Sequence, residues 1–173
     1  MHYAIKEDTC LIFDFDDTLV SSSAMVHVYR ASGETLRLTS HEFAKFKPLD
    51  TDIMDFSMFE IFPPDVQAAA AFKHFLDALN TVPNSTYVVS ARSNPTPIKA
   101  ALKSLGANIS NSRIYAVGDA NPQNKRQVVA TILEKLPNCN MLHVFEDNMN
   151  NIQAIHTAAK DHGIRYSFDH INH

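Results

Sequence analysis

Residues 9–20 read TCLIFDFDDTLV, an apolar run that passes without a break into Asp14, Asp16, Asp17 and Thr18. An apolar stretch from Thr9 to Phe15 that ends in acids predicts a buried strand whose carboxyl end opens into a polar loop. Outward from it, Thr86–Ser90, Arg113–Val117, Met141–Phe145 and Ile164–Phe168 are four further strand candidates. Helical segments alternate with them. Asp65 stands where a helix cap would be, ahead of Ala68, Phe72, Phe75, Leu76 and Leu79 on one face. Pro95–Leu105 begins with prolines and stops at Gly106, as helix ends favour. Asn121-Pro122 opens a third helix carrying Val128, Val129, Ile132, Leu133 and Leu136, and Asn150–Lys160 is the fourth. This alternation predicts an α/β fold: a doubly wound, Rossmann-like parallel sheet of five strands with helices on both faces. Ligands in such sheets bind beyond the carboxyl ends of the strands.

Between the first strand and the first of these helices lies an insert, residues 21–64. Ala24–Arg30 reads as a strand, Ser32-Gly33 as a turn and Thr35–Leu38 as the returning partner, which makes a small β-hairpin flap. Thr39 and Glu42 have capping-box spacing, so a short helix is expected through Phe46 before Pro48 ends it. Residues 50–64 read as loop with a helical turn, and the phenylalanines from Phe43 to Phe62 as a small satellite core. With 173 residues, 45% of them hydrophobic, the chain is expected to form one domain, 1–173, with the insert as its small cap.

Bulk properties narrow the function classes. A formal charge of −4 argues against broad nonspecific nucleic-acid binding, which depends on phosphate neutralisation by Lys and Arg. No apolar run approaches the roughly 18 residues that span a bilayer, and the N-terminus lacks the pattern of a signal peptide. A cytoplasmic protein without a membrane anchor is expected, its Cys10 and Cys139 reduced core thiols and its sequons at Asn84 and Asn108 idle.

Polar residues concentrate at strand ends on one edge: Asp14, Asp16, Asp17 and Thr18 after the first strand, Ser90 and Arg92 after the second, Glu146 and Asp147 after the fourth. Converging carboxylates repel one another unless a cation lies between them, and an oxygen-only set suits magnesium better than zinc. A calcium loop starting at Asp14 would need Gly and Glu where Leu19 and Met25 stand. The histidines lack metal-ligand spacing.

The spacing Asp14-x-Asp16-x-Thr18 after an apolar strand resembles the first motif of the haloacid dehalogenase-like hydrolases. The resemblance implies that Asp14 attacks phosphorus to form an aspartyl phosphate, that Asp16 serves as acid and then base, and that Thr18 positions Asp16. An Asp two residues after the nucleophile resembles the phosphatases and phosphomutases rather than the dehalogenases or transport ATPases. Tyr87–Ser90 looks like the second motif, with Ser90 binding the phosphoryl group. Lys125 is the best match to the third-motif lysine, with Arg126 and Lys135 as competitors. VFEDNMNN resembles the paired-acid fourth motif, which implies Mg2+ held by Asp14, Asp16 and Asp147, with Glu146 and Asn151 in the outer shell. Asn150 and Asn151 stand where the commoner fourth motif has a further acid.

These readings converge on a Mg2+-dependent phosphomonoester hydrolase with catalytic Asp14, Asp16, Thr18, Ser90 and Lys125. Ser90, Arg92 and Lys125 would bind the substrate, although Arg92 could instead pair with a neighbouring carboxylate. The gap from Gly118 to Asn124 is too short for a large second cap, so the site is expected to be fairly open. The partner is then a phosphorylated substrate: a nucleotide, as for a nucleotidase, a nucleic-acid end or another phosphorylated metabolite. A catalytically silent metal- and phosphate-binding or signalling module is the alternative. A receiver domain is disfavoured because it would carry its acceptor Asp on a later strand, away from an early acidic pair.

Overall fold

The computed structural model describes residues 4–172. Its strands are β1 (Thr9–Phe13), β2 (Val20–Ser21), β3 (Met25–Tyr29), β4 (Thr35–Thr39), β5 (Ile53–Asp55), β6 (Gln67–Ala68), β7 (Thr86–Ser90), β8 (Ile114–Ala116), β9 (Met141–Glu146) and β10 (Arg165–His170). The helices are α1 (Ser40–Lys45), α2 (Phe72–Thr81), α3 (Pro95–Ser104), α4 (Pro122–Glu134) and α5 (Met149–Asp161). Five of the strands form an all-parallel sheet in the order β10-β9-β1-β7-β8. The chain moves outward from β1 through β7 to β8, then returns to the other side of β1 for β9 and β10. That reversal opens a crevice at the carboxyl ends of β1 and β9, the usual ligand position in open α/β sheets.

Successive residues of a strand face opposite ways. Leu11 and Phe13 of β1 pack with Phe75 of α2 and Ile98 and Leu102 of α3. Cys10 and Ile12 join Val129 and Ile132 of α4 and Ile155 and Ala158 of α5 on the other face. Helices thus cover both faces, as the alternation of elements predicts. Phe13 and Phe145 are direct cross-strand partners; their rings stack with centroids 4.5 Å apart, and Phe75 meets Phe13 edge-on at 5.1 Å. This packing fixes the strand ends from which Asp14 and Glu146 project.

The insert departs from expectation in two places. Asp65 caps no helix: its backbone is left-handed, φ 52°, and its Oδ2 accepts a 2.7 Å hydrogen bond from Ser23 Oγ. Gln67–Ala68 instead pairs antiparallel with Val20–Ser21, so the alanine-rich stretch closes the neck of the insert and the helix waits until Phe72. Within 50–64, a helical turn is present at Ser57–Phe59, but Ile53–Asp55 is a strand. It pairs with β3 on the side opposite β4, which extends the hairpin to a three-stranded sheet. The capping box on α1 is present as read. Val26, Val28 and Phe59, with Phe43, Phe46 and Met58 against them, form the insert's own small core, whereas Phe56 and Phe62 are partly exposed. Among the described residues, no helix is long and apolar enough to cross a membrane.

The edge strand β10 is tied to β9 by a buried histidine. His143 Nε2 lies 2.8 Å from Asp169 Oδ2 and its Nδ1 meets Ser167 Oγ, so the neutral ring donates through Nε2 and accepts through Nδ1. Burial holds its pKa below the ordinary value, although Asp169 pulls the other way. A histidine depressed in the folded state binds fewer protons there than when unfolded, so stability falls as pH drops through the unfolded value of about 6.5. The melting temperature of His143→Gln is therefore expected to depend less on pH between 7.5 and 5.5 than that of the native protein. An equal slope in thermal melts would remove His143 as the source.

Candidate active site

Strand parity places the central groups. Asp14 follows Cys10 and Ile12 on the α4 side of the sheet, and its backbone N–H continues the ladder to Phe145 O at 3.0 Å. Glu146 follows Leu142 and Val144 on the same side. Lys125 lies in the first turns of α4, whose start is set by Asn121 accepting from Gln123 N and by Pro122 behind it. From there Lys125 Nζ donates to Asp14 Oδ1 at 2.7 Å and to Glu146 Oε2 at 2.8 Å. All three residues are buried. Burial opposes charge on Lys125, but the two carboxylates outweigh it and raise the ammonium's pKa. Of the basic residues that the sequence offers for this place, Lys125 is the one that reaches Asp14. Arg126 turns outward to Asp161, and Lys135 to Tyr115.

Thr18 does not contact Asp16 in the way the first motif implies. The chain turns sharply after Phe15, with Leu19 N and Val20 N both donating to Phe15 O at 3.0 and 3.1 Å, and Asp17 takes φ 62°, a conformation that Asp tolerates better than most residues. The turn brings Thr18 back under Asp14, where its Oγ1 donates to Oδ2 at 3.1 Å. Both oxygens of Asp14 are therefore oriented. Asp16 is gripped instead by Arg92, whose Nε and Nη2 reach its two oxygens at 2.8 and 2.7 Å while Nη1 donates to Phe59 O at 3.1 Å. The guanidinium also sits over the rings of Phe15 and Phe59. Burial raises the Asp16 pKa, and Arg92 offsets part of that rise. Of the two roles open to Arg92, carboxylate pairing is the one present.

Ser90 is likewise held apart from Asp14. It shares parity with Val88, which faces α2 and α3. It is fully buried, and its Oγ accepts from Arg92 N at 3.1 Å. Ala91, Arg92 and Ser93 line the site at this strand end, and Ser90 does not.

Asp14, Glu146 and Asp147 each offer an oxygen within 4.8 Å of the others, a set able to hold a metal ion. The Asp16 carboxylate is not part of that set, being turned to Arg92. Burial first, then the charge of Asp14 and the hydrogen bond and charge of Glu146, push the Asp147 carboxyl up to about 10. Three acids so placed call for a counter-charge beyond Lys125, and an all-oxygen set suits a hard divalent cation. Asn151, in the first turn of α5, adds an independent sign: its Oδ1 is buried without a hydrogen-bond partner, and the residue lines the same cavity.

The cavity over these groups measures about 430 Å³ and is roofed by the insert, with Phe43, Phe46, Phe56 and Phe59 on its wall. Ser40 Oγ at the start of α1 donates to Asp17 Oδ2, and Ser93 Oγ to Glu60 Oε1, so polar ties join the insert to the sheet. Sequence reading placed Asp17 at this edge without giving it a role, and missed Glu60 and Asp119 as lining residues. Asp17 is adjacent to the motif, but the approach of the other two to it depends on tertiary paths that no local pattern encodes.

Comparison of the chain with protein-family models, with curated proteins and with solved structures yields no match. The functional reading therefore rests on the site's own chemistry.

Proposed function

We propose that this protein is a Mg2+-dependent phosphomonoesterase of the haloacid dehalogenase-like kind, acting in the cytoplasm through an aspartyl phosphate on Asp14. The observation that carries the reading is the Asp14 carboxylate. It stands at the crevice beside β9, oriented through both oxygens by Thr18 and Lys125, and it meets Glu146 and Asp147 at one side of a cavity. Mg2+ bound by Asp14 and Asp147, with Glu146 and Asn151 supporting its water, would supply positive charge to the phosphoryl oxygens.

In this reading an Asp14 oxygen attacks phosphorus as the ester P–O bond breaks, and the Asp16 carboxyl gives its proton to the departing oxygen. A water then attacks the aspartyl phosphate and returns a proton to Asp16, and the Asp14–phosphate bond breaks to release inorganic phosphate. The raised pKa of Asp16 suits the first of these tasks. Lys125 offsets negative charge as the phosphoryl group gathers it. Arg92 holds Asp16 in place, and Ser90 acts through the turn that carries Arg92. The substrate class is a nucleotide, a nucleic-acid end or another phosphorylated metabolite.

Phosphate release from p-nitrophenyl phosphate with and without Mg2+ tests the reading, alongside Mg2+ titration of the melting temperature. Turnover that requires Mg2+, with a melting temperature that rises as Mg2+ binds the folded state, is the expected result. A rise in melting temperature with no turnover on any phosphomonoester would favour the silent binding module.

A further inference from the structure

The cavity has two unlike sides. Its floor carries the acids already described, and further carboxylates of Asp17, Glu60 and Asp119 stand around it. Among the described lining residues the cations are Arg92 and Lys125, and both are engaged: Arg92 by Asp16 and Phe59 O, Lys125 by Asp14 and Glu146. The opposite side is aromatic. Phe43 and Phe56 meet edge to face with centroids 5.2 Å apart, and Phe46 lies 6.2 Å from Phe43. Phe59 is locked beneath the Arg92 guanidinium, 4.9 Å from its ring. Phe56, by contrast, packs on Phe43 at the edge of the insert's core and stays 41% exposed.

Phe56 therefore presents a partly exposed aromatic ring on the cavity wall, far less buried than Phe59. An exposed aromatic ring above an acidic floor is suited to a planar guest. The surplus of carboxylates acts on the remainder of that guest. A strand of nucleic acid would bring its neighbouring phosphodiesters against Glu60 and Asp119 with no free cation among the described lining residues to meet them, whereas a single terminal phosphate could be met by a metal on the floor.

We infer that the substrate is a phosphomonoester with one phosphate and a planar aromatic body, the ring lying against Phe56 and Phe43; this rests on the phosphomonoesterase reading above. A nucleoside monophosphate and a simple aryl phosphate share that chemistry. A sugar phosphate lacks the ring, and a phosphorylated oligonucleotide adds the excluded charge.

Comparison of kcat/KM with Mg2+ for a purine and a pyrimidine nucleoside monophosphate, p-nitrophenyl phosphate, ribose 5-phosphate and a 5′-phosphorylated hexanucleotide tests the inference. The aromatic monophosphates are expected to exceed ribose 5-phosphate and the hexanucleotide by at least about tenfold, the scale of one ring-stacking contact. Their relative rates separate base from aryl recognition. Phe56→Ala is expected to reduce the ratio of aromatic to ribose 5-phosphate kcat/KM about tenfold. Phe56→Leu, which keeps apolar volume but loses the ring face, should reduce it in the same direction. Preference for the hexanucleotide or ribose 5-phosphate, or a ratio unmoved by both variants, overturns the inference while leaving phosphatase activity intact. If no substrate is turned over, the phosphomonoesterase reading itself fails, and the inference with it.

Discussion

Asp14→Asn is expected to reduce Mg2+-dependent phosphate release by at least about 10⁴-fold, the order seen when a covalent nucleophile is lost from its site. The amide keeps the shape of the carboxylate and an oxygen for Lys125 or Thr18, and Lys125 retains Glu146 as a partner. The change therefore removes the nucleophile with little disturbance of its surroundings. A chemical readout separates that role from a merely electrostatic one. Acyl phosphates survive acid and hydrolyse in base, so acid quenching during turnover of a ³²P-labelled substrate should leave label on the native protein and none on Asp14→Asn. Label on another residue, or a variant that turns over at the native rate, would remove Asp14 from the nucleophile's position.

The fold was legible because its signals are local and repeated. The strands β1, β7 and β9 are short apolar runs, and α3 and α4 begin at prolines behind asparagine caps. The same strands brought Asp14, Glu146 and Asp147 together, since parallel strands present their carboxyl ends on one edge, and α4, which begins at that edge after β8, adds Lys125. Side-chain direction was harder to read. Ser90 could have been assigned by counting parity from Val88, but Thr18 could not, because a tight turn and not a strand decides where it points. The insert was least legible. Ile53–Asp55 is too short to show alternation, and it becomes a strand only because β3 offers an edge. Asp65 has the residue type of a cap but a left-handed backbone. The phenylalanines read as satellite core are partly that, and the same rings also form the cavity wall, a double role that spacing alone does not separate.

Lys125→Met should reveal how much of the site's charge the protein balances by itself. The variant leaves Asp14 and Glu146 buried without the ammonium that bridges them at 2.7 and 2.8 Å, and breaking a buried pair in this way costs about 3–5 kcal/mol. Urea unfolding at pH 7.5 without divalent ions should show that loss. Glu146 is already held above its ordinary pKa by burial and by Asp14, while Lys125 pulls it down. Removing Lys125 raises it further. A carboxyl raised in the folded state binds more protons there than when unfolded, so stability grows as pH falls towards the unfolded value. The deficit of Lys125→Met should accordingly narrow between pH 7.5 and 5.5. Mg2+ should restore part of the stability by bringing positive charge to the same acids, yet kcat should stay about 10²–10³-fold low, because offsetting charge on the transferring phosphoryl group is the separate task of this ammonium. A variant as stable as the native protein would mean that Asp14 and Glu146 do not share one buried charge balance with Lys125. Stability indifferent to Mg2+ would mean that the acids are not the metal's ligands, and full recovery of kcat would reduce Lys125 to a structural counter-ion.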